Sequence, residues 1–430
     1  MKKWLAFAFG LVALAVIAAA AFFLIPAGLE PVTASAAAPT GAALVARGEY
    51  LTRAADCEAC HTNPGGESFA GGRAFDLPFG TLYAPNLTPD REHGIGAWSN
   101  AEFVRALHHG IGRNGEDLYP AFPYASYALL TDDDALAIRA YLATVKPVAA
   151  TPPANDLKFP FNQRYLMRAW KLLFVPGHRF EADASKDATW NRGAYLIGPL
   201  GHCGECHTPR NLLQGLDDSR KFAGTKQVGW LAYNLTSDPD HGVGGWSDAQ
   251  LAQYLSTGHA EGRGPASGPM AEVIGFSLRY LSADDIRAMV TYLRSIPPQP
   301  DGPPAVGRGA PAEAGKNPLG AHIFVEACAG CHLPSGHGRQ SPWAALAGSH
   351  TTGDPDANNL LQVLAQGTQI KTSQGLMFMH AFTSAYTDEE LAAVANYTCA
   401  QFGQTACHLT ADQVHKVRKN APTKTLEASQ

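Results

Sequence analysis

Three short segments pair two cysteines across two residues and follow them at once with a histidine. They read Cys57-Glu58-Ala59-Cys60-His61, Cys203-Gly204-Glu205-Cys206-His207 and Cys328-Ala329-Gly330-Cys331-His332. Two thiols at that spacing reach the two vinyl groups on one porphyrin edge and form thioethers. The histidine that follows then supplies a ring nitrogen to the iron, which is the attachment chemistry of haem c. Two other readings of Cys-x-x-Cys are a redox disulfide and half of a zinc site. A redox pair places no demand on the next residue. With 16 His in 430 residues, chance puts one there about 4% of the time. Three together is then on the order of a one-in-ten-thousand event. Zinc motifs pair at short separation, whereas these lie more than 100 residues apart. The spacing therefore predicts three covalently bound haem c groups. They are held by Cys57 and Cys60, Cys203 and Cys206, Cys328 and Cys331, with His61, His207 and His332 as iron ligands.

A low-spin electron-transfer haem takes a methionine or a second histidine on its other face. The chain has 6 Met. Met270, in Gly268-Pro269-Met270-Ala271, is expected in a loop before a helix, where a thioether is presented to a second haem. Met379, in Met377-Phe378-Met379-His380-Ala381-Phe382, is expected in the matching loop for the third, in preference to Met377. Met289 falls at apolar helical spacing and reads as core. The first segment differs. The position matching Met270, counted from Trp98 as Met270 is from Trp246, is Phe122, which has no lone pair to give. The first iron is thus expected to be five-coordinate or to recruit another base. His108 and His109 are nearest in sequence, against the plainer reading of an exposed helix end, and Met167 lies farther on. His93 and His241 sit at equivalent positions beside glycine and read as loop structure.

The elements that position these residues repeat. RGEYLTRAADCEACH at 47–61 matches RGAYLIGPLGHCGECH at 192–207, and HGIGAWSNAEFVRAL at 93–107 matches HGVGGWSDAQLAQYL at 241–255. Asn86-Leu87-Thr88-Pro89 matches Asn234-Leu235-Thr236-Ser237. In both copies a serine after Trp98 or Trp246 is placed as an N-cap. Helical spacing predicts closing helices over 131–145, 282–296 and, in a shorter and more divergent third copy, 387–401. The expected fold is mainly α, with three tandem cytochrome c-type haem domains after an N-terminal apolar helix. Their bounds are 45–148, 189–297 and 316–402. A bridge covers 149–188, a Pro/Gly-rich linker 298–315 and a tail 403–430.

Lys2 and Lys3 precede an apolar run over residues 4–25, an export signal long enough to span a bilayer. A cleavable sequence, Ala34-Ser35-Ala36, follows. The two readings of 1–35 are a cleaved signal and a retained anchor, and length favours the anchor. Either way the chain beyond it lies outside the cytoplasm. The formal charge of −5 gives no support to nucleic-acid binding. The bridge stretch 161–175 mixes Arg164, Arg168 and Lys171 with Leu166, Trp170, Leu172, Leu173 and Phe174. It is expected either against the membrane or a partner, or as a strap packed between domains. Cys399 and Cys407 lie outside the haem motifs, and an oxidising compartment favours their pairing as a disulfide; the rival reading leaves both free.

Taken together, FGTLYAPNLTPD (79–90), LYPAFPY (118–124), FNQRYLMRAWKLLF (161–174), GHCGECHTPRN (201–211), GRGPASGPMAE (262–272) and MFMHAF (377–382) resemble a known family. It is the triple-haem cytochrome c subunits of membrane-bound bacterial periplasmic dehydrogenases. The resemblance covers residues 45 to about 418. It implies an electron-transfer subunit at the periplasmic face of the cytoplasmic membrane. Such a subunit takes electrons from a catalytic dehydrogenase subunit of flavin, quinone-cofactor or molybdenum type, oxidising an aldehyde, alcohol or sugar, and passes them to ubiquinone. The family often has Met where Phe122 stands, so that ligand does not carry over. Met270 carries over, as does Met379, although His380 stands where the family usually has Pro. No Ser-His-Asp set, phosphate loop or carboxylate pair is evident. Two other functions stay open: a peroxidase-like enzyme using an open first haem, and a free multihaem carrier.

Overall fold

The computed structural model describes residues 2–25, 28, 29, 31–302, 316–339 and 341–420. Most of the linker expected at 298–315, and the end of the tail, lie outside the described residues. The chain divides into two compact units. One holds Cys60–Glu181 and the chain before Arg53; the other holds Arg53–Ala59 and the chain from Ala182 onward. The described residues are predominantly helical, with small two- and three-stranded sheets.

The first helix, Lys2–Leu24, is apolar on every side. Its stretch Lys3–Phe23 is long and apolar enough to cross a membrane. At 1.5 Å per residue it reaches roughly 30 Å.

One crossing of two helices recurs three times. Helix Gly41–Ala54 meets helix Asp132–Leu142, helix Ala188–Tyr195 meets Ala283–Ser295, and helix Pro318–Ile323 meets Asp388–Thr398. At each crossing a glycine lies against a carbonyl oxygen of the closing helix: Gly48 on Ala137, Gly193 on Ala288 and Gly320 on Ala393. A Cβ there would collide with backbone, so the helices meet this closely only with glycine. The residue before the glycine clamps the first two crossings. Arg47 Nε lies 2.8 Å from Asp134 Oδ1, and Arg192 Nε and Nη2 donate to Asp285 at 2.8 and 2.6 Å. In the third, Asn317 replaces arginine. Its amide donates to the Ala393 carbonyl at 2.7 Å and its oxygen accepts from the Gly320 N–H at 2.9 Å.

The closing helices are a little shorter than the spacing predicts: Thr131, Ser282 and Thr387 stand outside them as N-caps, and they end at Leu142, Ser295 and Thr398. Ser99 and Ser247 close capping boxes with Glu102 and Gln250. Asn86 and Asn234 explain the repeated Asn-Leu-Thr. Each accepts from the N–H two residues on at 2.8 Å and donates to two carbonyls past the closing helix.

The hairpins are not legible in the sequence as strands. Ala74–Leu77 pairs with Gly80–Tyr83, which takes Asp156–Leu157 as a third strand, and Thr225–Gln227 pairs with Trp230–Ala232. Thr368–Thr372 pairs with Gly375–Met379. Within the second unit, the second and third segments share a seam rather than standing apart. The Asn359 side chain accepts from Leu231 N at 2.8 Å and donates to Leu231 O at 2.9 Å, extending that strand as a backbone would. Gln362 donates to Gly229 O at 3.0 Å, and Trp343 Nε1 to Thr257 O at 2.9 Å. Cys399 and Cys407 are disulfide-bonded with their Cα atoms 5.9 Å apart, both buried in the core of the third segment.

Candidate haem-binding sites

Each Cys-x-x-Cys-His lies on a short helical turn: Cys57–His61, Gly204–His207 and Ala329–His332. In all three motifs the first cysteine is partly buried and the second exposed. Burial pushes the Cys203 thiol up to about 12 and that of Cys328 up to about 11. A catalytic redox pair needs a thiol of lowered pKa, so burial here works against that chemistry. Among the described residues, no group of three or more His, Cys, Asp or Glu is placed to hold a metal ion.

The three histidines share one geometry. His61 Nδ1 lies 2.9 Å from the Pro85 carbonyl, His207 Nδ1 2.6 Å from that of Tyr233, and His332 Nδ1 2.7 Å from that of Ala344. A carbonyl only accepts, so Nδ1 carries the proton and Nε2 keeps its lone pair. Burial lowers all three imidazole pKa values, against the opposing pull of the carbonyl. A neutral ring, locked in one tautomer by a backbone acceptor, is how proteins present histidine to a metal. Pro85 and Tyr233 occupy equivalent places before Asn86 and Asn234, so the asparagine staple also fixes the histidine's acceptor.

The residues present fit a haem group on a further observation. Trp246 Nε1 is buried without a hydrogen-bond partner. The Arg263 guanidinium lies 5.1 Å over the same ring. A donor withdrawn from water with no protein acceptor calls for a bound acceptor, and haem carries carboxylates.

The expected methionines lie in regular structure, not in loops. Met270 is in the first turn of helix Gly268–Phe276, behind the N-terminal Pro269. Met379 ends strand Gly375–Met379. It packs against the core of the third segment, as Cys328 and Leu346 do. Strand alternation puts Met377 on the same face as Met379. Met289 is buried core, 2% exposed.

In the first segment, Phe122 packs in an aromatic group, its ring tilted 5.6 Å from Tyr127 and edge-on 6.1 Å from Tyr124. His108 is not at an exposed helix end. It is 1% exposed, and burial, with Arg179 and His109 nearby, holds its pKa near 3. His109 is exposed, as expected of the helix end. Met167 is half-buried at the start of bridge helix Met167–Phe174. His93 and His241 are loop structure, bonded to Asp90 and Asp238 at 3.1 and 3.3 Å.

In the bridge, Arg168 and Lys171 do not face outward. Arg168 Nε and Lys171 Nζ meet the buried Asp117 carboxylate at 2.9 and 2.6 Å. Arg168 Nη1 also caps the end of the first helix through Phe22 O and Ile25 O, at 2.7 and 2.5 Å. The Tyr165 and Phe23 rings meet edge-on 6.0 Å apart. The outward side of the bridge is apolar, with Leu172 and Leu173 exposed at 72% and 66%.

Comparison with known proteins agrees with this picture. The cytochrome c family model matches residues 45–146 and 319–398. The chain is 40% identical to the fructose dehydrogenase cytochrome subunit of Gluconobacter japonicus, over 90% of this chain and 85% of that protein. It is 36% identical to the gluconate 2-dehydrogenase cytochrome c subunit of Pantoea cypripedii, over 90% of this chain and 94% of that protein. It is 35% identical to the cytochrome c subunit of the quinone alcohol dehydrogenase of Gluconobacter oxydans, over 89% of this chain and 84% of that protein. With attachment motifs of haem c on its helical turns and such relatives along nearly its whole length, the chain belongs to the family of dehydrogenase cytochrome c subunits.

Proposed function

We propose that this chain is the electron-transfer subunit of a dehydrogenase complex and carries three covalent haem c groups. They are attached at Cys57 and Cys60, at Cys203 and Cys206, and at Cys328 and Cys331. His61, His207 and His332 are the fifth ligands, and Met270 and Met379 the sixth ligands of the second and third irons. The first iron takes no ligand from the Phe122 position. The observation that carries this reading is the threefold tie of a motif histidine to a backbone carbonyl, repeated beside a threefold glycine helix crossing. When bound, the group supplies one-electron iron chemistry. The protein's part is to hold the proton on Nδ1, keep Nε2 aimed, and wall the site from water.

Electrons enter from a catalytic dehydrogenase subunit that oxidises an aldehyde, alcohol or sugar, and leave to ubiquinone. Names of the relatives support such a partner: each belongs to a dehydrogenase. The first helix anchors the chain at the periplasmic face of the cytoplasmic membrane. Its end, capped by Arg168, adjoins the bridge, whose exposed leucines lie on the lipid surface. Intact mass of the purified chain tests the count, with a pyridine haemochrome assay alongside. Three haem increments are expected. Two increments, with one cysteine pair open to alkylation, would refute the third site.

A further inference from the structure

The seam between the second and third segments carries a histidine that belongs to neither attachment motif. His350 opens the short helix His350–Gly353 of the third segment. Its ring packs against two aromatic rings of the second. It stacks on Trp246, with 5.9 Å between centroids and 13° between planes, and leans on Tyr233 at 4.9 Å and 41°. Tyr233 is the residue whose carbonyl receives the His207 Nδ1–H at 2.6 Å. Trp246 is the residue with the buried, unbonded indole N–H. Both rings that His350 touches therefore form part of the second site.

His350 cannot back away from them. Ser349 is buried and caps the short helix, and Thr352 Oγ1 donates to Leu346 O at 3.0 Å. Gly348 sits against the Gly262 backbone, and Gly264 against Ser349, so closely that neither has room for a Cβ. The loop from 344 to 350 is thus clamped at both ends. At one end Ala344 holds His332 of the third site. At the other, His350 packs on the ring of Tyr233, whose carbonyl is the acceptor of His207.

We infer that His350, supplied by the third segment, is a positioning residue for the second haem: it seals that site from solvent and fixes the Tyr233 carbonyl that orients His207. The inference rests on His207 being an iron ligand. Burial, with the Arg263 cation nearby, brings the His350 pKa down to about 4, so the ring is uncharged near neutral pH and serves as a wall. A wall that excludes water disfavours the more highly charged, oxidised iron and raises the reduction potential.

The test uses the full haem-loaded chain in detergent. Signals of the second haem are first identified as those lost in a Cys203→Ser, Cys206→Ser double variant. His350→Ala should then shift that haem's midpoint potential downward and alter its low-spin electron paramagnetic signal. The other haems should stay in place. His350→Phe, which keeps an uncharged ring against Tyr233 and Trp246, should restore the wild-type value. His350→Leu keeps the volume but not the ring, and replaces the alanine variant if that one does not fold. Unmoved potentials in a fully loaded Ala or Leu variant overturn the inference, as does a shift confined to another haem. If the double-serine variant loses no haem signal, the attachment reading itself fails, and this inference with it.

Discussion

At the scale of single residues, thioether chemistry is local, and so is its signature. Two cysteines and a histidine must be nearly adjacent in sequence, so candidate attachment sites are readable without a fold. The proposed sixth ligands, Met270 and Met379, come from far along the chain, and their setting is harder to read. Met270 follows Ser267-Gly268-Pro269, a stretch that starts a helix, since proline suits the first helical turn. Met379 follows an alternating run whose Ile370 and Met377 are cross-strand partners. Both signals are local and present in the sequence, yet a loop is the simpler expectation for each. His108 gives no such signal, because the groups that bury it, near Leu130 and Arg179, arrive from later segments. The ligand assignment makes a sharp prediction. Met270→Ala and Met379→Ala should each lower the potential of one haem, and not the same one, by a fraction of the roughly 0.8 V that axial ligands span. Each should also remove that haem's Met-to-iron charge-transfer band. Redox titration followed in the visible and near-infrared checks this, and an unchanged spectrum in either variant would reject that methionine.

At the scale of elements, the helix crossings are half legible. Periodicity locates the closing helices, and the repeat aligns Arg47 with Arg192. The reason for the glycine at each crossing appears only when Ala137, Ala288 and Ala393 are brought against it. The bridge shows the opposite failure. Its mix of basic and apolar residues is an interfacial pattern, yet the acid that claims its cations, Asp117, lies 51 and 54 residues away from Arg168 and Lys171. That carboxylate is 4% exposed, and the two cations 13% and 11%. Removing one member of such a buried group strands the others, at a cost of about 3–5 kcal/mol. Asp117→Asn should therefore lower the unfolding temperature of the first unit and open the bridge to proteolysis between 161 and 175. Asp117→Glu, which keeps the charge, should fall between the two. A variant as stable and as protease-resistant as wild type would show that the cations find water instead.

At the scale of the whole molecule, the proposal that the first helix anchors the chain bears on the bridge as well. The first helix is long and apolar enough to span a bilayer, and Arg168 ties its far end to the bridge. If that helix spans, the bridge must sit at the lipid headgroups. The bridge carries what such a position favours: Phe159, Phe161, Tyr165, Leu172 and Leu173 are all exposed. Reversing the charges of Arg168 and Lys171 would then be a poor probe of membrane binding, since it breaks the Asp117 cluster. The informative change is on the apolar side. In a chain exported by a cleavable leader in place of residues 1–25, part of the protein should still float with anionic lipid vesicles. Leu172→Ser with Leu173→Ser should release it. Burying a leucine side chain fully is worth about 1.5–3 kcal/mol, so the pair together predicts a drop in partitioning on the order of tenfold or more. Both leucines are already in water, so folding and haem content should not change. Equal flotation with and without the two serines would place the bridge away from lipid and leave its apolar side to the dehydrogenase partner.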